Sequence, residues 1–128
     1  MQYRGFTRQA RKVMRIAERL AEKEQQLRMG SEYILAGLLQ ENDGVAGQIL
    51  QQLSVNCEEI LTLIHEISLP KTEEQVADGD FLTPESRAIV EEAYAVAERF
   101  DSELVGTEHL LFSIIEHRTS AAARMLLA

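Results

Sequence analysis

A single cysteine, Cys57, rules out an internal disulfide in this chain of 128 residues. That usage fits a reduced, cytosolic protein in which Cys57 is a small helix residue rather than a reactive thiol. Only two prolines interrupt the backbone, so long helices are permitted. No apolar run approaches the ~20 residues that cross a bilayer, and the N-terminus lacks a signal-peptide core. A soluble, cytosolic, non-membrane chain is the expectation. No Gly-rich loop ending in Lys-Ser/Thr occurs, which excludes a P-loop ATPase within these residues. No cofactor is therefore expected within these residues. His65, His109 and His117 have no metal-ligand spacing: the last two lie eight apart, on one helix side but two turns distant. They read as surface helix residues, with no metal site. No Ser/His/Asp or Cys/His arrangement is arguable, so no catalytic residue is assigned and the chain reads as a non-enzyme.

What remains is helical material. Apolar residues make up 45% of the chain, enough for one domain with a proper core. The net charge of −8 disfavours general nucleic-acid binding, but the charge is uneven. Residues 1–28 carry eight basic side chains against three acidic ones, a local +5, which leaves −13 on the rest. The basic first helix is either a solvated outer face or a docking surface for an acidic partner.

Thr7 reads as the N-cap of a long first helix with the apolar stripe Ala10, Val13, Ala17, Leu20, Ala21 and Leu27. Gly30 closes the next turn, and Ser31 caps a second helix with Ile34, Leu35, Leu38 and Leu39 inside. After the Asn42-Asp43-Gly44 turn, a third helix buries Ala46, Ile49, Leu50 and Leu53. Asn56 caps a fourth, burying Ile60, Leu63, Ile64 and Ile67, and Pro70 stops it. Residues 69–81 are polar and acidic and read as a linker. Thr83-Pro84 opens a fifth helix, with proline where its missing N–H costs nothing. That helix buries Ile89, Ala93, Val96, Ala97 and Phe100. Gly106-Thr107-Glu108-His109 opens the sixth, with Leu110, Leu111, Ile114 and Ile115, and Thr119 or Ser120 starts a seventh with Ala122, Met125 and Leu126.

The second half repeats the first. Residues 6–52 slide onto 82–128 without a gap, with ten identities, among them Thr7/Thr83, Gly30/Gly106, Glu32/Glu108, Ala46/Ala122 and Leu50/Leu126. Apolar agreement alone would mean only two similar helices. Matched polar residues at Thr7/Thr83 and Glu32/Glu108 have no packing reason to agree, so the chain is a tandem repeat. The expected fold is all-α: a pseudo-twofold repeat of a four-helix unit with the second copy truncated, about seven helices in one domain over 1–128. Repeat one covers 6–68, the linker 69–81 and repeat two 82–128. The second unit has no counterpart to residues 53–68; either the sequence stops short of that helix or an apolar groove lies open.

Phe6-Thr7-Arg8 opening a helix, Gly-[Ser/Thr]-Glu-[His/Tyr]-[Ile/Leu]-Leu opening the next, and a second start at Leu82-Thr83-Pro84 resemble the Clp N-terminal repeat domain. The likeness covers nearly the whole chain and is nearest to the N-domain of ClpC-type AAA+ unfoldases. It implies a module on top of a Clp ATPase ring that receives adaptor proteins and protein substrates, and that is monomeric in isolation. In ClpC-type members it further implies recognition of arginine-phosphorylated proteins through two equivalent pockets. Tyr33 departs from the usual histidine of the motif. The runner-up is a free-standing accessory protein of the same fold that docks on and regulates a Clp complex. Whether the reading frame continues past Ala128 into a Walker-motif ATPase separates the two. A small hydrolase has no support in the residues, and a DNA-binding role for the basic helix is disfavoured by the acidic remainder.

Phosphoarginine joins an anionic phosphoryl group to a guanidinium. A helix N-terminus with a threonine cap suits the first, and a glutamate accepting planar N–H donors suits the second. By the resemblance, the ligand-binding residues are Thr7, Glu32, Thr83 and Glu108. Within one repeat, a helix of about twenty residues, roughly 30 Å long, separates threonine from glutamate. Pairing within a repeat and pairing across the pseudo-twofold both stay open. The same four residues also have an ordinary reading, as caps and as acids complementing the helix dipole.

Overall fold

Seven helices run in order as α1 (Arg8–Lys23), α2 (Ser31–Gln40), α3 (Val45–Gln52), α4 (Cys57–Ile67), α5 (Pro84–Arg99), α6 (Thr107–Glu116) and α7 (Ala121–Leu127). They come from a computed structural model that describes residues 3–41, 43–67 and 81–127. Among these residues there is no strand, and no helix is long and apolar enough to cross a membrane. Of the linker read over 69–81, only Phe81 lies within the described residues, as do neither Asn42 nor Pro70.

The starts of the helices follow local chemistry. Thr7 Oγ1 accepts the Ala10 N–H at 3.1 Å, and Thr83 Oγ1 accepts the Ser86 N–H at the same distance. Asn56 Oδ1 accepts from Glu58 at 2.8 Å and Glu59 at 3.2 Å. Ser120 caps α7 through the Ala123 N–H. The C-terminal ends use left-handed residues that are not glycine: Gln25, Ser54 and Asp101 at φ 58°, 60° and 55°. Each is followed by a residue whose N–H reaches back five positions, as Gln26 to Ala21 and Ser102 to Ala97. Gln25 and Asp101 are related by the repeat offset.

The dominant contacts are α1 against α2 and α5 against α6, the equivalent hairpins of the two repeats. In the first, Gly37 lets the helices meet: a Cβ there would stand 2.5 Å from the Val13 carbonyl oxygen. In the second, the equivalent Ser113 donates its hydroxyl to the equivalent Ile89 carbonyl at 2.7 Å. The same contact is therefore made directly in one repeat and through a hydroxyl in the other. Helices α2, α6, α3 and α7 then pack across the repeat boundary into one core.

Most of the expected core is buried, but several apolar residues are not. Leu27, Ile49, Leu53, Leu63, Phe100 and Ile115 are exposed, Phe100 by 60%. Leu27 and Phe100 fall beyond the helical segments of α1 and α5, where the 3.6-residue period no longer sets direction. Ile49 and Ile115 line an open groove. His109 also departs from expectation, being buried rather than on the surface.

That groove has a counterpart in repeat one. There α4 packs on α2, burying Ile60 and Ile64, with His65 bonded to Glu24 at 3.1 Å. The positions equivalent to Ala36, Leu39 and Glu24 are Phe112, Ile115 and Phe100. Among the described residues no helix covers them, and they bound a cavity of about 600 Å³ with Ile49, Leu111 and His109.

Cys57, the first residue of α4, behaves as the small helix residue expected. Burial pushes its thiol above the ordinary value; a hydrogen bond with Gln40 opposes the rise and Glu58 adds to it. The thiol is thus protonated at neutral pH, and alkylation by iodoacetamide should keep accelerating with pH beyond the point where a free cysteine levels off. A rate already flat below pH 8 contradicts this. Gly37→Ala should overpack the α1–α2 contact and cost about 2 kcal/mol, read as a lower urea midpoint with unchanged slope.

Candidate functional site

The repeats are joined by two short crossed pairings. Thr7 N–H donates to the Val105 carbonyl at 2.9 Å, and Val105 N–H donates to Gly5 at 2.7 Å. In the matching place, Met29 N–H donates to Phe81 at 2.6 Å and Thr83 N–H to Met29 at 3.2 Å. Both are parallel bridges, Phe6 with Val105 and Met29 with Leu82. The chain entering α1 is therefore tied to the chain entering α6, and the chain entering α5 to that entering α2. These ties bring Thr7 and Glu108 to one cleft across the pseudo-twofold, and they set Thr83 beside the segment leading to Glu32.

Thr7 and Glu108 line one cleft of about 240 Å³, together with Gln9, Asp43, Gly44, Val45, Gly106 and Thr107. The N-termini of α1, α3 and α6 converge there, so three positive dipole ends point at one small volume. Gln9, Asp43, Val45 and Thr107 were not anticipated as cleft residues, because the segment before α3 enters only through tertiary packing. Thr107 had a local signal, its place in the repeated motif, but the wrong role.

The hydroxyls of that motif do not cap their own helices. The N-caps of α2 and α6 are Gly30 and Gly106, and neither makes a side-chain cap. Thr107 Oγ1 instead accepts the Ala46 N–H of α3 at 3.0 Å, and Ser31 Oγ accepts the Ala122 N–H of α7 at 3.1 Å. Each hydroxyl caps a helix of the other repeat. The glycines also differ from expectation, since φ is −82° at Gly30 and −96° at Gly106, open to any residue. Glycine there leaves room for a neighbouring side chain. The carboxylates of Glu32 and Glu108 fold back over these positions, with Cδ 2.9 Å from where a Cβ would stand in both. Gly44 makes space in the same way for Thr107, whose Oγ1 is 2.7 Å from the Cβ position.

His109 completes the α6 start by accepting the Gly106 N–H on Nδ1 at 2.8 Å. The equivalent Tyr33 is fully buried at the start of α2. Among the described residues no group of His, Cys, Asp and Glu could hold a metal ion.

The family model of the Clp repeat (R) N-terminal domain matches residues 5–128. The chain belongs to this family. It is 31% identical over 126 residues to the negative regulator of genetic competence ClpC/MecB of Bacillus subtilis, covering 98% of this chain and 15% of that protein. It is 30% identical over 126 residues to the chaperone protein ClpB of Oceanobacillus iheyensis, again 98% of this chain and 15% of the relative. To the ATP-dependent Clp protease ATP-binding subunit ClpA homolog of Porphyra purpurea it is 30% identical over 124 residues, 97% of this chain and 15% of that protein. The chain thus spans about 15% of the length of these relatives, the part that is homologous to the N-domains of Clp ATPases.

The Clp repeat fold here depends on caps exchanged between repeats. Thr107→Val keeps the shape of the side chain but removes the acceptor for the Ala46 N–H, and should cost about 1–2 kcal/mol by urea denaturation. A loss under a few tenths of a kcal/mol would mean that water replaces the hydroxyl.

Proposed function

We propose that this chain is the substrate- and adaptor-receiving N-domain of a Clp-type ATP-dependent unfoldase, acting in the cytoplasm, and that it recognises phosphoarginine on marked proteins. The observation that carries the reading is the shared cleft of Thr7 and Glu108 at three helix N-termini. The phosphoryl oxygens would lie toward the helix N-termini, where backbone N–H groups and positive dipole ends favour an anion. The guanidinium would lie toward Glu108 and Asp43, which accept its planar donors. A free phosphate lacks the second interaction and a plain arginine lacks the first, so the two ends together give selectivity.

The Glu108 carboxylate lies folded over Gly106, half-buried at the cleft wall, where a guanidinium entering the cleft would reach it. The chain itself performs no chemistry; in this reading it raises the local concentration of marked proteins at a Clp ring, and adaptor proteins dock on the same domain.

Calorimetric titration with free phosphoarginine tests the site. The double variant Glu32→Ala/Glu108→Ala should lower the affinity at least about tenfold, the size of one lost charge-assisted contact. Unchanged affinity sinks the assignment.

A further inference from the structure

The two clefts are built from equivalent elements but are not in the same state. In the cleft beside Thr83, the N-termini of α5, α2 and α7 converge as those of α1, α6 and α3 do in the other. There Glu85, the equivalent of Gln9, places Oε2 on the Ser31 hydroxyl at 2.6 Å and on the Ala121 N–H at 3.1 Å. Ser31 is fully buried. A carboxylate therefore already takes the donors at the meeting point of the helices, through one short, charge-assisted bond from a hydroxyl and a longer one from a backbone N–H.

In the first cleft the equivalent donors are differently engaged. Thr107 accepts from Ala46 as Ser31 accepts from Ala122. Among the described residues, however, no carboxylate accepts from the Val45 N–H, the counterpart of the Ala121 N–H. Position 9 carries a neutral amide. Asp43 does line this cleft, but it is exposed at the rim and its equivalent, Thr119, is uncharged.

We infer that Glu85 is a built-in anion occupying the second cleft, so that the clefts are unequal and only the Thr7–Glu108 cleft accepts an anionic ligand. A phosphoryl group entering beside Thr83 must displace the Glu85 carboxylate from both donors and then lie next to it. Two negative groups a few ångströms apart in a partly dry cleft weaken binding at least about tenfold. Gln9 imposes neither cost. The residue at this one pair of positions thus selects which half of the duplicated domain is open. The inference rests on the proposed reading of the clefts as phosphoarginine receivers.

Free phosphoarginine titrated into the whole chain, followed by calorimetry and by backbone amide NMR, tests it. Wild type should bind one equivalent, shifting Val45 and residues 106–108 while Ala121 and residues 30–32 stay in place. Glu85→Gln should add a second equivalent and move the second set. Gln9→Glu should weaken the first site at least about tenfold. Circular dichroism checks that both variants keep their helices. Two equal equivalents in wild type, or a Gln9→Glu variant that binds like wild type, overturn the inequality and leave the phosphoarginine reading standing. No binding by wild type or by Glu85→Gln overturns that reading and the inference with it.

Discussion

Two crossed bridges hold this protein in its particular shape. The Thr7 N–H on Val105 and the Thr83 N–H on Met29 tie each repeat's first helix to the other repeat's second helix. Together with the core that α2, α3, α6 and α7 share across the repeat boundary, they set how the α1–α2 and α5–α6 hairpins sit against each other. With them, the start of α1 lies beside the start of α6 and the start of α5 beside the start of α2. Each hydrogen bond is worth only about 1 kcal/mol net, yet each fixes the geometry of three helix ends. Every cleft is consequently made of both repeats, and half the protein cannot form one.

The crossed arrangement also explains where the small residues go. Converging helix ends bring several unsatisfied N–H groups into one place, and they must be satisfied without filling it. Thr107 and Ser31 do this for the opposite repeat, which frees their own helix starts to be glycine. Those glycines then admit the folded carboxylates of Glu108 and Glu32. Bulk is exchanged at the same time. Gly44 faces the larger Thr107 in one cleft, while at the equivalent positions Ser120 accompanies the smaller Ser31. A side-chain carbon lost on one element is recovered on its neighbour, as close packing requires.

The fold was largely legible from sequence because it repeats a local pattern. Helix existence, the caps at Thr7, Asn56 and Thr83, and the buried stripes through Ala10 and Ile89 follow from spacing within a turn or two. Ungapped identity at Thr7/Thr83 and Glu32/Glu108 made the repeat visible. The cleft was legible only in part. Two of the four residues named from sequence, Thr7 and Glu108, line it, but their nearness depends on contacts about a hundred positions apart, such as Thr7 with Val105, which no periodicity carries. The roles of Ser31 and Thr107 were misread for the same reason: a hydroxyl after a glycine looks like a local cap, and its true acceptor geometry lies on another helix. His109 looked like a surface residue, but it accepts the Gly106 N–H and is buried with its ring stacked against Phe100. Leu27 and Phe100 were placed inside because the apolar period was carried past the helix ends.

Duplication gives two copies of a cleft, but it does not oblige both to have one role. The hydroxyl caps hold the backbone of both clefts and so are constrained in both by the fold itself. Positions 9 and 85 are not: they lie half-buried on the first turns of α1 and α5, outside the bridges. A carboxylate at one of them satisfies helix donors within the fold, which stabilises the apo protein at low cost in packing. The same carboxylate removes the reason for an outside anion to enter. Internal stability and ligand capture compete for the same few N–H groups, and a duplicated domain can settle that competition differently in each half. In the proposed reading, Glu85 tilts one half toward stability, and Gln9 leaves the other available.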